Sequence, residues 1–102
     1  MSSHLTYKVV STLHLPIQED PTVVSINPEG SFIAVGSADG SVFVWCLRTY
    51  ELLCQASPPS NGHCTAGAYV TNMTWISNGL LAFSRRNGLM GTLLVEKVRE
   101  PA

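Results

Sequence analysis

Charge is scarce in this chain and nearly balanced, with six Lys and Arg against seven Asp and Glu for a net charge of −1. A surface so close to neutral offers no electrostatic footprint for a phosphate backbone, so no nucleic-acid partner is expected. No apolar run approaches the roughly 18 residues needed to cross a bilayer, and no membrane partner is expected. Met1-Ser2-Ser3-His4 has neither the basic nor the apolar stretch of a secretory leader, and Ser2 stands where myristoylation would require glycine. Cysteine is sparse as well: Cys46, Cys54 and Cys64 are odd in number and contain no Cys-x-x-Cys. That argues against a disulfide framework and fits a reducing compartment. An intracellular protein, cytoplasmic or nuclear, is the expectation.

Catalytic signatures are missing too. The chain holds no Gly-x-Gly-x-x-Gly, no Gly-x-x-x-x-Gly-Lys and no Gly-x-Ser-x-Gly, and its one adjacent carboxylate pair, Glu19-Asp20, falls in a loop. No catalytic residue, no cofactor and no enzymatic activity are expected. His63-Cys64 supplies at most half of a zinc site, and no further ligand stands at suitable spacing, so no metal is expected. Asn72-Met73-Thr74 fits the glycosylation sequon but lies inside an expected strand of an intracellular chain.

What is present is β grammar. Of the 102 residues 45% are hydrophobic and only 13% charged, the balance of a small globular domain rather than a disordered segment. Residues 22–55 read as four short strands. Val23-Val24-Ser25-Ile26 comes first, then the turn Asn27-Pro28-Glu29-Gly30, a strand over residues 31–36, the turn Ala38-Asp39-Gly40, a strand over 42–45 and a last strand over 51–55. Asp-Gly between apolar runs signals a hairpin, here expected as a two-residue turn with both residues at positive φ. Val42-Phe43-Val44-Trp45 is apolar on both faces, which predicts a sheet covered on both sides with Phe43 and Trp45 in the core.

The grammar repeats. Residues 72–75, the turn Ser77-Asn78-Gly79, residues 80–84, the turn Arg86-Asn87-Gly88 and residues 89–95 match the first three strands, with Gly79 following Gly30 by 49 and Gly88 following Gly40 by 48. Before both units, residues 7–15 alternate as a strand, with Val9, Ser11 and Leu13 on one side and Val10, Thr12 and His14 on the other. Pro16 and Pro21 bound a loop, and residues 56–69 form a long connection containing Pro58-Pro59-Ser60-Asn61-Gly62. Residues 97–102 are a charged tail expected to fray.

These residues carry a family resemblance: residues 22–55 resemble one WD repeat, the unit that forms a four-stranded blade of a β-propeller. Pro28-Glu29-Gly30 resembles the family's Pro-Asp-Gly turn, Gly36-Ser37-Ala38-Asp39-Gly40-Ser41-Val42 its Gly-Ser-x-Asp-Gly-x-Val turn, and Trp45 follows Asp39 by six residues as the family requires. In the second unit, residues 70–96, Asn87 stands for the turn aspartate and Leu93 for the tryptophan. The family ties aspartate and tryptophan into a hydrogen-bonded set with a Ser or Thr and a Gly-His histidine. Here Val35 occupies the Ser/Thr position, Cys46 replaces the aspartate of the Trp-Asp pair, and Gly62-His63 precedes the second unit about three residues early. The resemblance implies an all-β chain with strand order d, a-b-c-d, a-b-c, incomplete as a propeller and expected to belong to a longer ring or to associate with copies of itself. Gly30, Asp39, Gly40, Trp45, Gly79 and Gly88 are its structural positions.

The function this implies is a protein-interaction scaffold. Because connections in an antiparallel meander alternate ends, the loops at 16–21 and 56–67 should share one end with the turns at Asp39 and Arg86. Glu19, Asp20, Asp39, Arg85 and Arg86 would then form a mixed-charge surface for a protein partner. The alternative is a self-contained eight-stranded sandwich or barrel closed around a small apolar ligand.

Overall fold

The computed structural model describes residues 5–57, 68–86 and 88–95. They contain seven strands: β1 (Pro21–Ile26), β2 (Phe32–Ser37), β3 (Val42–Cys46), β4 (Leu52–Ala56), β5 (Val70–Trp75), β6 (Leu80–Arg85) and β7 (Met90–Leu94). All pairs are antiparallel, in one sheet ordered β1-β2-β3-β4 and another ordered β5-β6-β7. Among the described residues no ladder joins the two sheets, so the closed barrel held as an alternative does not form. No helix of the described residues is long and apolar enough to cross a membrane.

Alternation decides what each strand buries. Phe32, Ala34, Val42 and Val44 project from the first sheet against Met73, Trp75, Leu81 and Phe83 of the second. Val35, Phe43 and Trp45 project the other way and form a second cluster. Val42, Phe43 and Val44 are all fully buried, so β3 is covered on both faces as its unbroken apolar run requires. Each such side chain is worth about 1.5–3 kcal/mol relative to exposure. The seam between the sheets is thus the principal source of stability among the described residues.

Gly36 sets the closeness of that seam. A Cβ there would lie 2.5 Å from Cβ of Val70, closer than two carbons can approach. Polar bonds cross the same gap. Thr22 donates its hydroxyl to the Val70 carbonyl (2.7 Å), and the Trp75 indole donates to the Ser25 carbonyl (3.1 Å). Strand β1 therefore lies along β5, and partners sit 48 and 50 residues apart, close to the repeat spacing.

Two expectations need correction. Residues 7–15 form no strand: Tyr7 is 95% exposed, Val9 75% and Val10 78%. Alternation specifies which side chains turn inward, but a strand also needs a ladder partner, and no edge among the described residues pairs with this segment. Its inward residues Leu13 and Leu15, with Ile17, instead pack on the second cluster. The Asp39 turn is also longer than two residues. Gly40 N donates to Ser37 O (3.1 Å) and Ser37 N to Ser41 O (2.9 Å), with Gly40 at φ 92° and Asp39 not at positive φ. This is a type I turn followed by a left-handed glycine, which needs only one residue at positive φ. Gly88 (φ 87°) repeats it, with its amide bonded to Arg85 O (3.1 Å). Gly30 is likewise left-handed (φ 76°), whereas Gly79 is not and instead accepts Val95 N at its carbonyl (2.7 Å).

Candidate interaction surface

The expected grouping of loops at one end holds where it can be followed. Ala38 N donates to Asp20 O (2.9 Å), which ties the proline-bounded loop to the Asp39 turn. Arg85 Nε donates to Gly40 O (2.8 Å), and Arg86 N to Tyr69 O (3.0 Å), which bring the second unit's turn and the end of the long connection to the same place. His63, Cys64 and Asn87 lie outside the described residues.

Asp39 is the organising group of this end. Its carboxylate accepts the Ser37 hydroxyl, the Ser41 amide (2.9 Å) and the Ser41 hydroxyl (3.1 Å). Partial burial alone would push this acid up, but the three donors outweigh it and hold the carboxyl below its ordinary value. Ser37 and Ser41 are buried, so the set is internal bracing of the turn. It uses Ser37 and not position 35, which explains how Val35 can replace the family's hydroxyl.

Arg85 departs from the surface expected of it. The residue is only 8% exposed, its guanidinium stands 4.9 Å above the Phe83 ring, and its Nε bridges to Gly40 of the neighbouring sheet. Burial lowers its pKa from the ordinary value, opposed by the Asp39 carboxylate. Glu19, Asp20 and Arg86 are exposed and Asp39 is half-buried.

At the opposite end, sequence reasoning missed a bracing cluster. Asn27 is 3% exposed and fully used: its Oδ1 accepts the amides of Ser31 (2.8 Å) and Phe32 (2.9 Å), and its Nδ2 donates to Ser31 Oγ (2.8 Å) and Asn78 O (2.9 Å). Asn78 Oδ1 in turn accepts Glu29 N (2.8 Å). The available signal was an Asn in equivalent turns of both units.

Antiparallel sheets stacked face to face, with equivalent turns bonded to each other at both ends, are blades of a β-propeller, here one of four strands and one of three. Residues 7–46 match the family described as WD domain, G-beta repeat, which supports a WD-repeat reading of this segment. A relative, Telomerase protein component 1 of Rattus norvegicus, is 41% identical over 46 residues, which are 45% of this chain and 2% of that protein. No solved structure matches.

Proposed function

We propose that this chain is a non-catalytic protein-interaction scaffold that works as part of a larger WD-repeat ring or of an assembly of its own copies. The observation that carries the reading is repeat-on-repeat stacking. Thr22 meets Val70, Asn27 meets Asn78 and Gly40 meets Arg85, so each position of one blade contacts nearly the same position of the next. Such stacking propagates, and a ring of about four to eight blades is its closed form. Recognition then falls to loops held on the rigid sheets, and the exposed Glu19, Asp20 and Arg86 make the polar surface offered to a protein partner. The matched segment is too small a part of the telomerase component to transfer that protein's role. An intracellular location accompanies the proposal.

The test is capture by the full chain of a partner first identified by cross-linking in cells. Glu19→Lys, Asp20→Lys and Arg86→Glu combined should abolish capture while leaving the unfolding transition in place. Undiminished capture by the folded triple variant would remove this end as the binding surface.

A further inference from the structure

The turn between β5 and β6 carries covalent chemistry that neither the stacking nor the loop surface uses. Asn78 is followed there by Gly79, whereas Asn27 precedes Pro28, which has no N–H, and Asn72 precedes Met73 inside β5. An asparagine with glycine after it can cyclise, because the glycine nitrogen approaches the side-chain Cγ with no Cβ in the way. The structure leaves that nitrogen available. Asn78 is exposed, residues 76–79 belong to no strand, and among the described residues the Gly79 amide has as acceptor only Ser77 Oγ, at 3.4 Å. The turn also activates the carbon to be attacked. Glu29 N donates to Asn78 Oδ1 (2.8 Å), so a positioned N–H stands at the oxygen that gains charge when Cγ is attacked. Asp39-Gly40 is the contrast: the Gly40 amide is bonded to Ser37 O, and the Asp39 carboxylate is braced by Ser37 and Ser41.

We propose that Asn78 is a site of spontaneous deamidation at the blade seam, with water as the co-reactant, and that its isoaspartyl product loosens the seam. Gly79 N gives up its proton and bonds to Asn78 Cγ, and the side-chain nitrogen takes up a proton and leaves as ammonia, closing a cyclic imide. Water then opens the ring at either carbonyl. Opening at Cγ gives aspartate. Opening at the main-chain carbonyl carbon gives isoaspartate, in which the chain runs through Cβ and Cγ and the former carbonyl becomes a free carboxylate. In sum one water is consumed and one ammonia released. The carbonyl that is lost accepts Asn27 Nδ2 (2.9 Å), and Asn27 is only 3% exposed. Isoaspartate therefore lengthens the turn and displaces both seam acceptors of residue 78, whereas aspartate keeps the backbone path and an oxygen for Glu29 N.

The test ages the folded full chain at mildly alkaline pH beside a sample held unfolded in guanidinium chloride. Fragment-ion mass mapping of residue 78 and isoaspartyl-specific enzymatic methylation are the readouts. Conversion of Asn78 in the folded chain at or above the unfolded rate is expected; a slower folded rate would show that the seam protects Asn78 and would overturn the proposal. For the consequence, the isoaspartyl fraction of the aged chain should have its unfolding equilibrium shifted toward the unfolded state about tenfold relative to Asn78→Asp, the loss of one to two neutral hydrogen bonds. Asn78→Gln, whose longer side chain closes such a ring far more slowly, should keep its urea midpoint through the same ageing. An isoaspartyl fraction as stable as Asn78→Asp, or an Asn78→Gln chain that declines as the parent does, overturns the proposal. Should either variant fail to fold, the two conversion rates of the parent chain still decide the matter.

Discussion

Replacing Arg85 separates two readings of the same residue most sharply. On sequence it is half of an arginine pair at a hairpin tip, a natural contact for an acidic partner. In the structure it is 8% exposed and spans the blade seam. Arg85→Ala removes the donor to Gly40 O at 2.8 Å and the cation 4.9 Å above Phe83, and it leaves a carbonyl at the seam without its bond. A hydrogen bond to a charged group contributes about 1.5–3 kcal/mol and a cation–π contact about 0.5–2 kcal/mol. The two share one side chain and do not add fully, so the expected loss is about 2–4 kcal/mol. For a domain of this size that lowers Tm by roughly 10 °C or more. Arg85→Lys should recover only part of it, because an ammonium carries no donor at the Nε position. Arg86→Ala, at an exposed site, should stay within about 0.5 kcal/mol of the parent. Urea unfolding followed by tryptophan fluorescence reads all three. If Arg85→Ala unfolds with the parent while partner capture fails, Arg85 is a recognition residue and the seam argument is wrong.

The seam itself answers to Gly36→Ala, whose new Cβ would meet Val70 Cβ at 2.5 Å on backbone that cannot swing aside. A loss of about 1–3 kcal/mol by urea denaturation is expected from such overpacking, and a neutral outcome would mean that the blades stand further apart than described. Asp39 predicts an acid dependence. Its folded pKa lies below the unfolded value, so its contribution is complete above the unfolded pKa, about 3.9, and disappears as pH falls through the lower folded value. Relative to Asp39→Asn, the parent should therefore lose its stability advantage only below about pH 4–5, and an advantage constant down to pH 2 would refute the assignment. The thiols should differ in reactivity. The Thr49 hydroxyl, then the backbone of Thr49 and Arg48, lower the pKa of Cys46, whereas burial raises that of Cys54. Iodoacetamide should modify Cys46 before Cys54, as read by peptide mass mapping.

Sequence was most informative where a local rule sufficed. Asp-Gly and Asn-Gly between apolar runs fixed the order of strands, and the two-faced apolar run at Val42–Trp45 required cover on both sides. It was least informative where the outcome depended on a partner distant in the chain. The alternation of residues 7–15 is sound as alternation, yet no ladder forms, because side-chain period specifies a face and says nothing of an available edge. Arg85 was misread for a related reason. Its charge suggests solvent, but its neighbour across the seam is the Gly40 carbonyl, 45 residues away, which only the stacking of blades brings near. Trp75 and Asn27 went unremarked because their partners, Ser25 O and Asn78 O, also belong to the other unit, although an Asn in both turns was visible. Arg85, Trp75 and Asn27, whose roles local rules do not give, all bond across the blade seam, and this has a physical reason. In a repeat fold each unit is specified locally, whereas the union of units rests on residues whose polar groups are satisfied only by a neighbouring repeat. A polar or aromatic residue that breaks the local strand pattern at equivalent places in successive repeats is thus better read first as bracing between blades and only then as a binding site.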